Sequence, residues 1–307
     1  MVKPARQRSD MATATLLMLG STVMFAFMAV VIRLAAAEMH PFEIAFFRTL
    51  FGFLFALPLL FRGGLGLLRT DKFWLYVVRC GLGIVSMLAG FWSLANLPLA
   101  QAVALSYSTP LFVTIGAVIF LHEVVRARRW SAVVIGFIGV LVIVRPGIDG
   151  FSPGTLVAVS AALFSAIVAI SIKFLSRSEH PDTIVIYTTL IWVPLALVPA
   201  LFFWTWPSPT GWLLVILAGF LGTVGHIFWT RALKLGDASA LTSISFAQLP
   251  IVATLAWLLF GETLDRWTLI GAGVIFLSTA YITHRETVLA RRTVTDAEIG
   301  SESHRSQ

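Results

Sequence analysis

Residues 40–50 read HPFEIAFFRTL, and residues 180–190 read HPDTIVIYTTL. His40/His180, Pro41/Pro181, Ile44/Ile184, Thr49/Thr189 and Leu50/Leu190 recur in register. Around them, Arg33 matches Lys173, and NLPLAQA at 96–102 matches KLGDASA at 234–240. PLFVTIGAVIFLHE at 110–123 matches PIVATLAWLLFGE at 250–262 with a slip of one residue. Chance likeness between apolar helices would repeat Leu, Ala and Phe. It would not repeat His-Pro and Pro…Glu landmarks in one order. The chain therefore holds two copies of one unit, over 12–145 and 150–285.

What the unit is follows from its apolarity. Hydrophobic residues make up 58% of the chain and charged ones 12%, with a mean hydropathy of +0.90. A soluble domain carries about twice that charge. The apolar runs are continuous rather than alternating, which predicts membrane-spanning helices and not a barrel. Ten spans are expected: 12–36, 42–61, 73–95, 99–121, 130–145, 154–175, 183–204, 211–233, 238–260 and 267–284. A straight crossing takes about 20 residues, so the fifth span is short and needs an extension or a thinner bilayer.

The net charge of +7 does not point to nucleic acid, because the basic residues sit between the spans. Lys3, Arg6, Arg8, Arg62, Arg69, Lys72, Arg126, Arg128, Arg129, Lys173, Arg177, Arg231, Lys234, Arg285, Arg291, Arg292 and Arg305 fall on one side. Only Arg33, Arg145 and Arg266 fall on the other. This asymmetry predicts both termini in the cytoplasm. Residues 1–11 are then a short cytoplasmic lead into a retained first helix, since no small-residue cleavage site follows Lys3, Arg6 and Arg8. Residues 286–307 are polar and charged, as in a disordered cytoplasmic tail. Cys80 is the single cysteine, which excludes disulfides and cysteine-based metal sites. No cofactor or metal is expected.

Five spans per copy is an odd number, so the second copy enters the membrane from the opposite face. The expected fold is an all-α membrane protein with ten transmembrane helices in two inverted five-helix repeats. Such halves can exchange shapes and open one central site to alternate sides.

FFRTL on the second span, SLANLPLAQAVALSYSTPLFVTI over the third and fourth, FLHE after them, VRPG at 144–147, TRALKLGDAS and LLFGE together resemble the EamA-type group of the drug/metabolite transporter superfamily. The resemblance runs from about residue 12 to 285. It implies a ten-helix inner-membrane fold of two inverted repeats. Spans 1–4 and 6–9 would surround a cavity, with spans 5 and 10 peripheral. His122 before Glu123 departs from the group's usual Gly, whereas Gly261-Glu262 keeps it. The group carries amino acids, vitamins, nucleotide-like metabolites and drugs, so the resemblance does not select a substrate.

Arg48 lies about six residues into the second span, roughly 9 Å from its end at 1.5 Å per residue. A charge at that depth must face the bundle interior or water. It suits either an anion-binding group or a structural link to carbonyls. Glu43, five residues earlier, is badly spaced to pair with it on a helix. Arg79, early in the third span, can snorkel to the near interface. His226, within GHIFWTR, can bind substrate, relay a proton or simply pack.

Gln101, Tyr107 and Gln248 lie near Pro110 and Pro250 on the fourth and ninth spans. Proline frees a carbonyl; neutral hydrogen-bonding groups at mid-depth suit a polar, uncharged ligand, or the prolines merely kink the helices. Trp92 and Trp229 hold matching places on spans three and eight, fit for stacking a planar ring or for packing. Glu123 and Glu262 are expected to make capping or gating contacts with basic residues. Gly219, Gly222 and Gly225 recur every third position and allow close helix approach. FWTWPSPTGW at 203–212 suits an interfacial aromatic belt.

No GxxxxGK[ST], HExxH, GxSxG or paired-carboxylate constellation appears, so neither an ATP-driven pump nor an enzyme is indicated. The expected activity is secondary transport of a small organic metabolite across the inner membrane. Among the substrates that the resemblance implies, aromatic-rich spans with few charges favour riboflavin or a similar planar vitamin. Amino-acid or drug export is the alternative, and a structural or sensory membrane protein is the alternative of another class. The expected partners are a small molecule and the lipid bilayer, not nucleic acid; a homodimer stays open.

Overall fold

The computed structural model describes residues 4–64, 70–121, 127–145, 152–175, 181–235, 244–245, 247–278 and 280–281. Its described elements are helices: α1 (Pro4–Ala35), α2 (Pro41–Gly63), α3 (Phe73–Asn96), α4 (Leu99–Ser106), α5 (Thr109–Leu121), α6 (Ala127–Val144), α7 (Pro153–Leu175), α8 (Pro181–Leu201), α9 (Pro209–Leu235), α10 (Gln248–Phe260) and α11 (Arg266–Ser278). Glu123 and the tail at 286–307 lie outside the described residues.

Among the described residues, six helical stretches are long and apolar enough to cross a membrane: Ala12–Ala35, Pro41–Pro58, Phe73–Asn96, Leu99–Gly116, Pro153–Ser171 and Pro209–Trp229. Trp130–Val144, Ile186–Leu201, Gln248–Phe260 and Arg266–Ser278 are shorter apolar helices. The run at 99–121 is two helices joined at Tyr107–Ser108. Pro110 stands in the first turn of α5 rather than inside a continuous helix.

Local chemistry sets the ends. α2, α7, α8 and α9 open on proline, whose missing N–H is one that a first turn leaves unpaired anyway. At the head of α2, His40 Nδ1 accepts from the Phe42 N–H (3.3 Å), and Glu43 Oε2 accepts from the His40 N–H (2.9 Å). The two form a capping box in which histidine plays the usual hydroxyl's part. α10 ends at Gly261, whose φ of 65° is the left-handed region that favours glycine; its N–H reaches the Trp257 carbonyl at 3.1 Å.

The two halves interlock. α1 packs on α9 and α3 on α7, while α2 packs on α8. Matching α1, α2 and α3 with α7, α8 and α9, an exchange of halves turns α1·α9 into α7·α3 and leaves α2·α8 unchanged. This is the contact pattern of a pseudo-two-fold arrangement. Gly139 and Gly271 let α6 and α11 touch: a methyl on either would stand 2.8 or 2.6 Å from the other's carbonyl oxygen. Large apolar side chains point outward on many helices, Phe61, Trp74, Phe202 and Leu277 among them. Hydrocarbon is the solvent such a surface fits.

A set of polar ties gathers at one end of the bundle. Arg33 at the end of α1 pairs with Glu262 (3.0 Å) and donates to the Leu94 and Ala95 carbonyls at the end of α3. Glu262 Oε2 also accepts from the Leu99 N–H (2.7 Å) at the head of α4. Arg145, after α6, pairs with Asp265, which caps α11 through the Trp267 and Thr268 N–H groups (3.2 Å each). Glu43, fully buried, accepts from Thr205 N–H at 2.6 Å and so binds α2 to the α8–α9 connection. Trp204 in that connection and Trp212 on α9 pack inward on Phe46 and Phe47, while Phe203 and Trp206 of the expected belt face out.

Candidate substrate cavity

A cavity of about 400 Å³ lies between the halves, a size suited to a small organic ligand. It is lined from α1, α2, α3, α4, α7, α8, α9 and α10, with none of its lining from α5, α6 or α11. Its aromatic wall is Phe25, Phe91 and Trp192. The Trp192 indole is fixed by donating to the Cys80 carbonyl (3.2 Å). Ser86 and Ser165 face each other across α3 and α7 at 2.6 Å, and Ser86 donates to the Ala161 carbonyl. Gly83 lies so close to Trp192 that a methyl there would stand 2.9 Å from the ring.

Of the residues singled out in the sequence, Arg48, His226 and Gln248 line this cavity. Arg48 is 9% exposed. Its two terminal nitrogens meet the Met87 and Met28 sulfurs at 3.9 Å, and among the described residues its Nε has no partner. His226 stands edge-on to Phe25 at 5.2 Å. Tyr107 stands behind Gln248, donating to the Ser245 carbonyl (2.6 Å) and to Gln248 Oε1 (3.2 Å). It positions the glutamine from outside the lining.

Others lie elsewhere. Trp92 packs into the α3–α7 contact, where a methyl on Gly154 would touch its ring at 3.0 Å. Trp229 is 41% exposed on α9, 6.4 Å from the His226 ring. Gln101 is half-buried on α4 outside the lining. The carbonyl that Pro110 frees, that of Ser106, accepts locally from Thr109 Oγ1 at 2.8 Å; the one four residues before Pro250 belongs to Phe246, which lies outside the described residues. Arg79 does not reach an interface: it is buried and donates to Thr188 Oγ1 at 2.5 Å. Glu43 is spent on His40 and Thr205, so it forms no charge pair with Arg48.

No pattern along the chain marks Trp192, Phe25, Phe91, the two serines or the two methionines as sharing a wall. The lining holds one guanidinium and no carboxylate among the described residues.

Apolar helices in two matching halves around a buried, partly polar cavity have the build of a multi-pass membrane carrier. The chain belongs to the EamA-like transporter family, whose pattern matches residues 12–145 and 152–284. It is 37% identical over 227 residues to a riboflavin transporter of Vibrio cholerae, covering 73% of this chain and 76% of that one. It is 32% identical to an S-adenosylmethionine uptake transporter of Rickettsia felis, covering 81% and 85%. A riboflavin transporter of Rhizobium johnstonii is 33% identical, covering 79% and 80%. A crystal structure of a protein 22% identical superposes with a TM-score of 0.64 over 92% of this chain and 99% of that one; this likeness speaks for the fold alone. The protein is a small-metabolite transporter of the membrane, not an enzyme.

Proposed function

We propose that this transporter carries riboflavin, or a planar vitamin like it, across the inner membrane by alternating access. Ten spans in two inverted halves, with both termini cytoplasmic, supply the mechanism: the halves exchange shapes and the cavity changes sides. The positive-inside asymmetry puts the Arg33–Glu262 end on the outer face.

The observation that carries the substrate is the cavity lining. It has three aromatic rings, serine hydroxyls, one guanidinium and no described carboxylate. A flat, acceptor-rich, neutral ring system is served by such walls. S-adenosylmethionine, the cargo named for the Rickettsia relatives, brings a sulfonium and an ammonium. Its carboxylate could take Arg48, but the described lining has no acid for either cation. A zwitterionic amino acid meets the same shortage, because Glu43 is committed elsewhere.

The test is growth of a riboflavin auxotroph lacking its own importer, together with flux of labelled riboflavin in proteoliposomes. Rescue at low riboflavin with saturable flux is expected. Flux of S-adenosylmethionine but not of riboflavin would replace the vitamin reading and leave the transporter standing.

A further inference from the structure

We infer that Arg48 is the substrate anchor, and that it takes a pair of adjacent acceptor atoms on one edge of the cargo. The inference rests on the riboflavin reading, where that edge is the side of the flavin ring that carries the C4 carbonyl oxygen next to N5.

A guanidinium offers five N–H donors in a rigid fork. Buried polar groups are as a rule satisfied, and a charge within a membrane bundle is normally paired. Arg48 is nine-tenths buried at the cavity, yet among the described residues its acceptors are two thioethers, and its Nε is unmatched there. Thioether sulfur is a weak acceptor. Acids elsewhere are occupied: Glu262 by Arg33 and Leu99, Glu43 by His40 and Thr205, Asp265 by Arg145. Among the described residues no acid completes Arg48, and that part falls to the ligand.

The seat of the anchor is specific. Gly222 on α9 lies under the guanidinium: a methyl there would stand 2.7 Å from one terminal nitrogen, 3.0 Å from Nε and 3.0 Å from the Met28 sulfur. Gly219 likewise admits the backbone of α2, with Phe51 Cβ at 2.6 Å from where its methyl would be. Gly219 lets the helices close, and Gly222 then leaves room for one side chain to lie flat against α9. His226, one turn beyond Gly222, flanks the same space.

The experiment compares riboflavin with 4-thioriboflavin, in which the carbonyl oxygen of that edge becomes sulfur, a poorer acceptor. Flux into proteoliposomes is measured for the wild type, Arg48→Gln, Arg48→Lys and Gly222→Ala. The wild type should show KM for the thio analogue about tenfold above that for riboflavin. Arg48→Gln should raise KM for riboflavin and bring the ratio between the two flavins to about one, because the group that senses the difference is gone. Arg48→Lys should fall between them, keeping charge without the fork. Gly222→Ala should raise KM with Arg48 intact and lower the ratio. An undiminished ratio in Arg48→Gln, with riboflavin still carried, overturns the anchor and spares the vitamin reading. No riboflavin flux in the wild type overturns both.

Discussion

Two buried arginines occupy related places and behave differently. Arg48 lies where α2 meets α9, and Arg79 where α3 meets α8, contacts that exchange when the halves are exchanged. Thr188, the partner of Arg79, is the position that repeats Arg48 in the second copy. On the α8 side the guanidinium is closed in: it donates to Thr188, beside Tyr76 stacked on Tyr187 at 4.8 Å. On the α2 side the cation is on the other helix, glycine replaces the hydroxyl, and the guanidinium looks into the cavity. Corresponding contacts thus hold a hydrogen-bonded link in one half and, on the proposal above, a binding group in the other. Burial alone therefore does not separate function from scaffold; the missing partner does.

The largest effect expected from breaking this contrast is in Arg48→Gln. Riboflavin affinity should fall by about 2 kcal/mol, some thirtyfold, as a charged hydrogen bond is lost. The thermal midpoint without substrate should hold or rise, since an uncompensated buried charge is removed. Titration of riboflavin into the purified variant and a melting curve read both. Arg79→Met should do the reverse: about 1–3 kcal/mol lost from stability as its hydrogen bond to Thr188 goes, and KM of the surviving protein unchanged. Equal behaviour of the two variants in the paired assays would erase the distinction.

The Arg33–Glu262 pair sharpens it further, being an arginine that is fully provided for. A double-mutant cycle with Arg33→Gln and Glu262→Gln should return about 1 kcal/mol of coupling, modest because both side chains keep some solvent exposure.

The smallest effect concerns His40, outside the spans. Burial lowers its pKa, against a partial opposing pull from Glu43. The neutral ring is the acceptor for the Phe42 N–H. The cap is thus complete above the solvent value of 6.5 and is lost as pH falls through the lower folded pKa. Its loss costs about 0.5–1 kcal/mol. Melting midpoints between pH 5 and 7.5 should drop at the acid end for the wild type and vary less for His40→Asn.

Much of the frame was legible, because His-Pro, Pro…Glu and the apolar runs report chain path and helix limits without reference to neighbours. Arg48 was legible for the same reason: a charge six residues into an apolar run needs no partner to be conspicuous. The cavity wall was not. Helices apolar on every face carry no periodicity that says which face turns inward, so Trp92 and Trp229 looked as eligible as Trp192. Their rotation is set by close approaches such as Gly83 on Trp192 and Gly154 on Trp92, which exist only once α3, α7 and α8 are docked. At Pro110 the freed carbonyl, that of Ser106, is taken up locally by Thr109, a partner that the proline alone does not announce.

Glu262 holds four pieces of chain at once: the end of α10 that carries it, α1 through Arg33, the α3 terminus through that same arginine, and the head of α4. A knot with one shared carboxylate cannot loosen strand by strand. If the halves trade shapes as proposed, that face should release as a single event with a threshold, and partially widened forms should be scarce.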